Sequence, residues 1–564
     1  NIDNNKKSNK YIGGIVGRAL GGKYEAIYNV GEIQLKESDP SSYNIGGIMG
    51  TSETNSSQNS LTLTKFINFA DINIIAMKTG VKEYVDAKPS ADQNRLVGGV
   101  AGKMEGDGSN YEGGYTLARL LYTTDKTVQL GVKNQDNKGI NGIAYANTQA
   151  RNVYFVLEFM PYSNFTNNSA QSNGAVVIAN NDTTTQSGGI PYAQLVPVLN
   201  KKLSKYFVCD SGTLDLQFAT KSDGSKYRTN LPTVFKNDNN SEVEEIDINK
   251  VIYDLIDTNG NDNNESNNNE YGSVGVGSKL NPIYFNTAKS NINTYILNPN
   301  YFYIFNNDVI NEKTIKIDSD GSFNGLITTN SRNNLPTVKL DNLSTNYGFI
   351  SNIKVLFDYT NSNNKYAIIE NNYGNIVNCI TYNIINTTSV TFSDSVSAFV
   401  YNNHGNIVQS GSTILIVANS VNFASGGNNQ LSGFVNNNFA DGFIKDCYST
   451  MSIINSSSDS VFLRNANIIS GFVIDNKGVV ETSYYAGKIN ANVGSVFASN
   501  NTGTIRKCYY DGEAMSIKSD KVDYLDSKDV KTSNDGAGIR FVKTQTMLES
   551  SDSVRTFFKY ALAT

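Results

Sequence analysis

Five stretches in the second half of the chain superpose residue by residue: YAIIENNYGNIVNCI from Tyr366, SAFVYNNHGNIVQSG from Ser397, SGFVNNNFADGFIKDCY from Ser432, SGFVIDNKGVVETSY from Ser470 and SVFASNNTGTIRKCY from Ser495. A unit this short cannot bury its own apolar face, so a chain that repeats it must stack the copies. Aligned on Gly374, Gly405, Gly442, Gly478 and Gly503, the position two residues on is Ile376, Ile407, Ile444, Val480 and Ile505, always β-branched. Five residues on stand Cys379, Ser410, Cys447, Ser483 and Cys508. Two before the glycine are Asn372, Asn403, Asn476 and Asn501 in the four copies that keep the spacing. Six before it are Ile368, Phe399, Phe472 and Phe497, with Phe434 two residues further back where one copy has a longer turn. Within each copy apolar and polar residues alternate with period two, and Gly or Asn separates the segments, the pattern of short strands joined by turns. These columns predict an all-β fold, a β-solenoid whose coils lie directly above one another, with an asparagine ladder at one turn.

The first half carries a related form. GGIVG at Gly13 to Gly17, GGIMG at Gly46 to Gly50, GGVAG at Gly98 to Gly102 and the weaker NGIAY from Asn141 occupy the place later taken by SGFV. YNVGEI from Tyr28 and FADINI from Phe69 parallel YYAGKI from Tyr484. The combined pattern, GG-[IV]-x-G followed by Gly-x-Ile and then Cys-Tyr-x-x-Gly-x-Ile, resembles the GLUG motif of large secreted and surface-attached bacterial proteins, including adhesins and regions flanking IgA-cleaving metallopeptidases. YFYIFNNDVI from Tyr301, LPTVKLDN and NYGFISNIKVLF resemble the coils that open such arrays, and GAGIRFVKTQTMLESSDSVRTFF resembles the short helical segment that follows them. The resemblance implies a right-handed parallel β-helix over residues 11 to 155 and about 290 to 555. It implies an extracellular or bacterial cell-surface location.

The repeat signal lapses between about 161 and 290. There the helical spacing of Leu195, Val198, Leu199, Leu203 and Phe207 predicts a helix from Tyr192 to about Tyr206, part of a small α/β insertion that could cover one end of the solenoid. The expected organisation is a first β-helical stretch (1–160), the insertion (161–290), a second β-helical stretch (291–515) and a C-terminal cap or linker (516–564). A length of 564 residues exceeds what one core usually serves. Lacking an initiator Met, a charged leader and an apolar h-region at Asn1, the chain reads as an internal or processed fragment. Charged residues are 18% and the net charge is −5, so no broad basic face exists to neutralise phosphates, which argues against nucleic acid as a partner. No run of 18 apolar residues is present, so no helix spans a membrane.

Chemistry is sparsely provided. The single histidine, His404 in NNHGN, falls at a turn position and reads as solvated. No HExxH occurs, so the metallopeptidase activity of some GLUG-containing proteins does not lie in this stretch. Cys209, Cys379, Cys447 and Cys508 form no CxxC, and three share one register, which predicts reduced, buried thiols. Asp257, Asn259, Asn261 and Asp262 set alternating oxygen ligands in one loop, a weak calcium candidate, because Asp262 stands where an EF-hand needs Gly and Asn268 where it needs Glu. No other cofactor is expected. Tyr448, Tyr484, Tyr485, Tyr509 and Tyr510 either seal the solenoid or stack a sugar or partner. Asp441, Asp446 and Asp475 are scattered through turns rather than gathered as glycosidase chemistry requires. The expectation is a non-enzymatic structural or adhesive protein that acts as a stalk, fibre or surface-layer component, its partners being copies of itself or a glycan or protein receptor. The alternatives are a carbohydrate-active β-helix enzyme and a scaffold region of a larger secreted protease.

Overall fold

A computed structural model of the chain describes residues 10–36, 42–54, 60–75, 94–105, 109–123, 128–130, 139–145, 150–160 and 187–208, then 292–318, 321–330, 334–341, 343–357, 366–392, 394–424, 429–455, 461–466, 468–489, 497–511 and 539–542, with short pieces at 89 and between 219 and 285. The described chain forms parallel β-helical coils in two compact units, residues 1–270 with 274–283, and residues 271–273 with 284–564.

A coil of the second unit runs through Val396–Ser397, Val400–Asn403, Asn406–Val408, Gly411–Val417 and Ser420–Phe423 before the next coil begins at Gln430–Ser432. Each strand pairs in parallel with its counterpart one coil later, so the sequence columns become ladders. Ile376, Ile407, Ile444, Val480 and Ile505 are consecutive partners and all are buried. Phe399, Phe434, Phe472 and Phe497 stack face to face with centroids 4.5, 4.8 and 4.6 Å apart. The longer turn of the third copy lies after Asn438, so Asn438 joins the asparagine column and Asn346 extends it backwards.

The glycine column is a matter of contact rather than dihedral angle. Added Cβ atoms at Gly374, Gly405 and Gly503 would lie 2.1, 2.2 and 2.2 Å from the carbonyl oxygens of Gly348, Gly374 and Gly478 in the preceding coils. A backbone oxygen cannot move aside, so only glycine lets coils approach here. The left-handed conformation falls elsewhere. Asn352, Asn378, Gln409, Asp446, Thr482 and Lys507, with φ of 58°, 52°, 50°, 53°, 46° and 54°, stand just before the next strand and turn each coil from one sheet into the next. Ordinarily such angles cost a non-glycine residue about 1 kcal/mol or more.

The first unit is built alike. Lys10–Gly13, Tyr43–Gly46 and Arg95–Gly98 pair in register, as do Gly22–Asn29, Leu61–Asn68 and Ser109–Thr116. Ala26, Lys65, Gly113 and Asn152 take positive φ in the same place in successive coils. The insertion continues this unit. Gly188–Ile190 pairs with Tyr154–Val156, and the expected helix forms as a 3-10 turn, Tyr192–Gln194, followed by an α-helix, Leu195–Lys202. Its Leu195, Val198 and Leu199 are buried, and Tyr206 beyond it packs on Gly113, donates to Glu112 Oε1 (2.6 Å) and accepts from Asn152 Nδ2 (3.2 Å). In the C-terminal region Ile539–Val542 is a strand parallel to Cys508–Asp511, as its apolar and polar alternation favours, where the resemblance implied helix. The rest of 512–564 lies outside the described residues.

Gly405→Ala should lower the unfolding free energy by about 3 kcal/mol because neither partner can give way, and Gln409→Gly should raise it by about 1 kcal/mol by relieving a left-handed glutamine. Urea denaturation of the two variants beside the parent chain measures both signs.

Candidate functional site

Where the strand ending in the asparagine column turns toward the glycine, one side chain per coil points outward. In four successive coils that side chain is a ring: Tyr347, Tyr373, His404 and Phe439. Coil stacking sets the rings parallel, with centroids 5.2, 4.6 and 4.0 Å apart and planes within 14° of one another. The Lys477 ammonium follows, 5.8 Å from the Phe439 ring. His404 is therefore at the turn position expected of it but is not simply solvated. It is sandwiched between two rings, and the extra turn residues of the next coil bring Asp441 Oδ1 to 3.0 Å from its Nδ1. A carboxylate only accepts, so Nδ1 carries the proton. Burial, followed by the neighbouring Tyr347 and Asp441, raises the Tyr373 hydroxyl pKa above its ordinary value.

Two amide ladders flank this ridge. The inner one is continuous and buried up to its last member: Asn346, Asn372, Asn403, Asn438 and Asn476 each donate Nδ2 to the Oδ1 of the next coil over 2.7 to 2.9 Å, and Asn501 accepts at the end. The outer one, half-buried and two residues before each ring, joins Asn437 to Asn402 (2.8 Å) and Asn402 to Asn371 (2.9 Å), then resumes with Asn500 donating to Asp475 (3.0 Å).

The cysteine and serine column is interior. Cys379, Cys447 and Cys508 are free and buried. Burial pushes Cys379 and Cys508 up to about 12, and Cys447 rises well above the ordinary thiol value, so all three stay protonated. Ser410 and Ser483 accept the backbone N–H of Cys379 and Cys447 at 3.1 Å. Tyr448 and Tyr484 stack at 5.6 Å and are buried, and Tyr485 donates to the Met451 carbonyl, which is the sealing arrangement. Tyr510 is buried too, and Tyr509 is half-buried. Asp446 accepts from Thr482 and Asp475 from Asn500, so the three scattered carboxylates sit in separate columns. The calcium candidates Asp257, Asn259, Asn261 and Asp262 lie outside the described residues, as does Cys209. Among the described residues no group of three or more His, Cys, Asp or Glu side chains is placed to hold a metal ion, and no helix is long and apolar enough to cross a membrane.

Sequence reading missed one charged cluster in the first unit, because one member comes from a distant, non-repetitive segment. Asp71 receives Arg119 through Nε (3.0 Å), Nη2 (2.6 Å) and its backbone N–H (3.0 Å), and Lys279 Nζ at 2.6 Å. Lys279 also donates to the Phe69 carbonyl at 2.8 Å. Burial alone would raise the Asp71 carboxyl, but Lys279 and then Arg119 outweigh it and hold the group well below the usual carboxylate range. Burial pushes Lys279 down to about 8; attraction to Asp71 opposes that and repulsion from Arg119 adds to it. Two cations share one anion here. The cluster ties 279 to the coil that carries Phe69 and Asp71.

A scan against family models, a search of curated proteins and a search of solved structures each return no match.

The cluster sets a pH dependence of stability. Lys279 is depressed in the folded state, so the unfolded chain binds more protons between pH 8 and about 10.5, and stability should rise with pH in that window, by about 3 kcal/mol for the full shift. Asp71 contributes stability above its unfolded pKa that is lost as pH falls below about 4. Chemical denaturation at pH 8 and 10 should show a steeper gain for the parent chain than for Lys279→Met; equal slopes would disprove the assignment.

Proposed function

We propose that this chain is a non-enzymatic, extracellular part of a bacterial surface or secreted protein, in which the β-helical coils serve as a stalk, fibre or surface-layer component. It presents its turns to copies of itself or to a glycan or protein receptor. One observation carries the reading: among the described residues the recurring polar side chains bond coil to coil, in the asparagine ladders and the serine column, rather than converging on one reacting centre. That is what a load-bearing stack needs, since each ladder adds cohesion in proportion to the number of coils. The resemblance to GLUG repeats supports the same reading and its cell-surface setting.

Antibodies raised against the purified chain should label intact, unpermeabilised cells that produce the full gene product. The purified chain, incubated with soluble polysaccharides, should release no new reducing ends or unsaturated uronides. Labelling that appears only after lysis would overturn the location, and product release would favour a carbohydrate-active enzyme.

A further inference from the structure

The ring ridge and the outer amide row run side by side along the coils of the second unit, and the ridge has one open end. Strand register places Asn300, Asn324 and Tyr347 at the same turn position of three successive coils. Asn300 and Asn324 are exposed, and Asn324 Nδ2 donates to Asn300 Oδ1 at 3.1 Å. Tyr347 stacks on Tyr373 through one face. On its other side the register places the short amide of Asn324 rather than a ring, a step from polar to aromatic. Inside the stack the ring faces cover one another, so the Tyr347 face is where an apolar ligand surface can seat.

Beside the step the outer row runs Ser322, Thr345, Asn371, Asn402 and Asn437, consecutive partners in the strand register. A primary amide has two N–H donors and two acceptor lone pairs. Within this row Asn402 uses one of each on its neighbours in a half-buried position, which leaves a second N–H and a second lone pair outside the ladder. Donor and acceptor pairs thus repeat about every 4.8 Å, the strand spacing. Charge along the strip is carboxylate rather than cationic, since Glu370 adjoins Asn371, Asp441 accepts from His404, and Lys477 stands with Asp475 in the coil after Asn437 and Phe439, which disfavours an anionic polymer.

A ligand matched to this strip needs an apolar face for one ring, groups that each donate and accept, a regular repeat, and no negative charge. We propose that the strip binds a neutral linear glycan, its end sugar seated by its C–H face on Tyr347 beside Asn324, and the chain bending at that sugar's linkage to continue along Thr345, Asn371, Asn402 and Asn437. The inference rests on the adhesive reading above and names its ligand class and site.

Affinity electrophoresis of the full chain in gels containing soluble glucomannan, β-1,3-glucan or amylose, with polygalacturonate as the anionic contrast, tests it. Retardation by at least one neutral polymer is expected. Binding should weaken about tenfold in Tyr347→Ala, the loss of one ring contact, and persist in Tyr347→Phe. Asn402→Leu should weaken binding several-fold, and thermal melts of all three variants check that the coils remain folded. Retardation by polygalacturonate alone, no retardation by any neutral polymer, or undiminished binding in folded Tyr347→Ala would overturn the proposal. Surface labelling of intact cells without glycan binding would remove this inference alone, whereas its absence would remove the parent reading as well.

Discussion

Direct superposition of one coil on the next is the constraint from which the rest follows. At Gly405 the chain passes so close to the Gly374 carbonyl that no side chain fits, and this contact fixes both the spacing and the register of the strands on either side. A shift by one residue would turn every inward side chain outward. With register fixed, Asn372 must meet Asn403 and Phe399 must meet Phe434, and their ladders follow without further instruction.

Inward and outward columns then divide the work. Inside, β-branched residues and phenylalanines exclude water, while amides and serines satisfy the polar groups that the turns bring in. Outside, the same repetition lines up whatever the turn residue happens to be, so Tyr347, Tyr373, His404 and Phe439 become a ridge although they lie 26 to 35 residues apart in sequence. A surface feature in such a fold is linear and periodic by construction. That favours elongated partners over compact ones, and is the physical link between the architecture and the adhesive role proposed above.

Columns with one residue type were legible in the sequence: the isoleucines two after the glycine, the phenylalanines and the asparagines all stack as their spacing implied. The reason for the glycines was not, since a turn glycine suggests a left-handed angle and these are required by a carbonyl one coil away. The true left-handed column was invisible because Asn378, Gln409, Asp446, Thr482 and Lys507 share a conformation and no chemistry. Asn438 was hidden by the insertion that follows it, and the His404 sandwich by a column that mixes tyrosine, histidine, phenylalanine and lysine. The Asp71, Arg119 and Lys279 cluster had no sequence signal, because Lys279 belongs to no repeat.

Register is the claim on which both the ladders and the ridge stand, and paired cysteines read it directly. Asn371 and Asn402 are partners in adjacent coils at about 4.8 Å, within reach of a disulfide, whereas Asn371 and Asn403 point to opposite faces. The expected result is that the pair Asn371→Cys with Asn402→Cys closes under mild oxidation, seen as a shift in non-reducing electrophoresis, while Asn371→Cys with Asn403→Cys stays open. Closure of the second pair in preference to the first would contradict the stacked register.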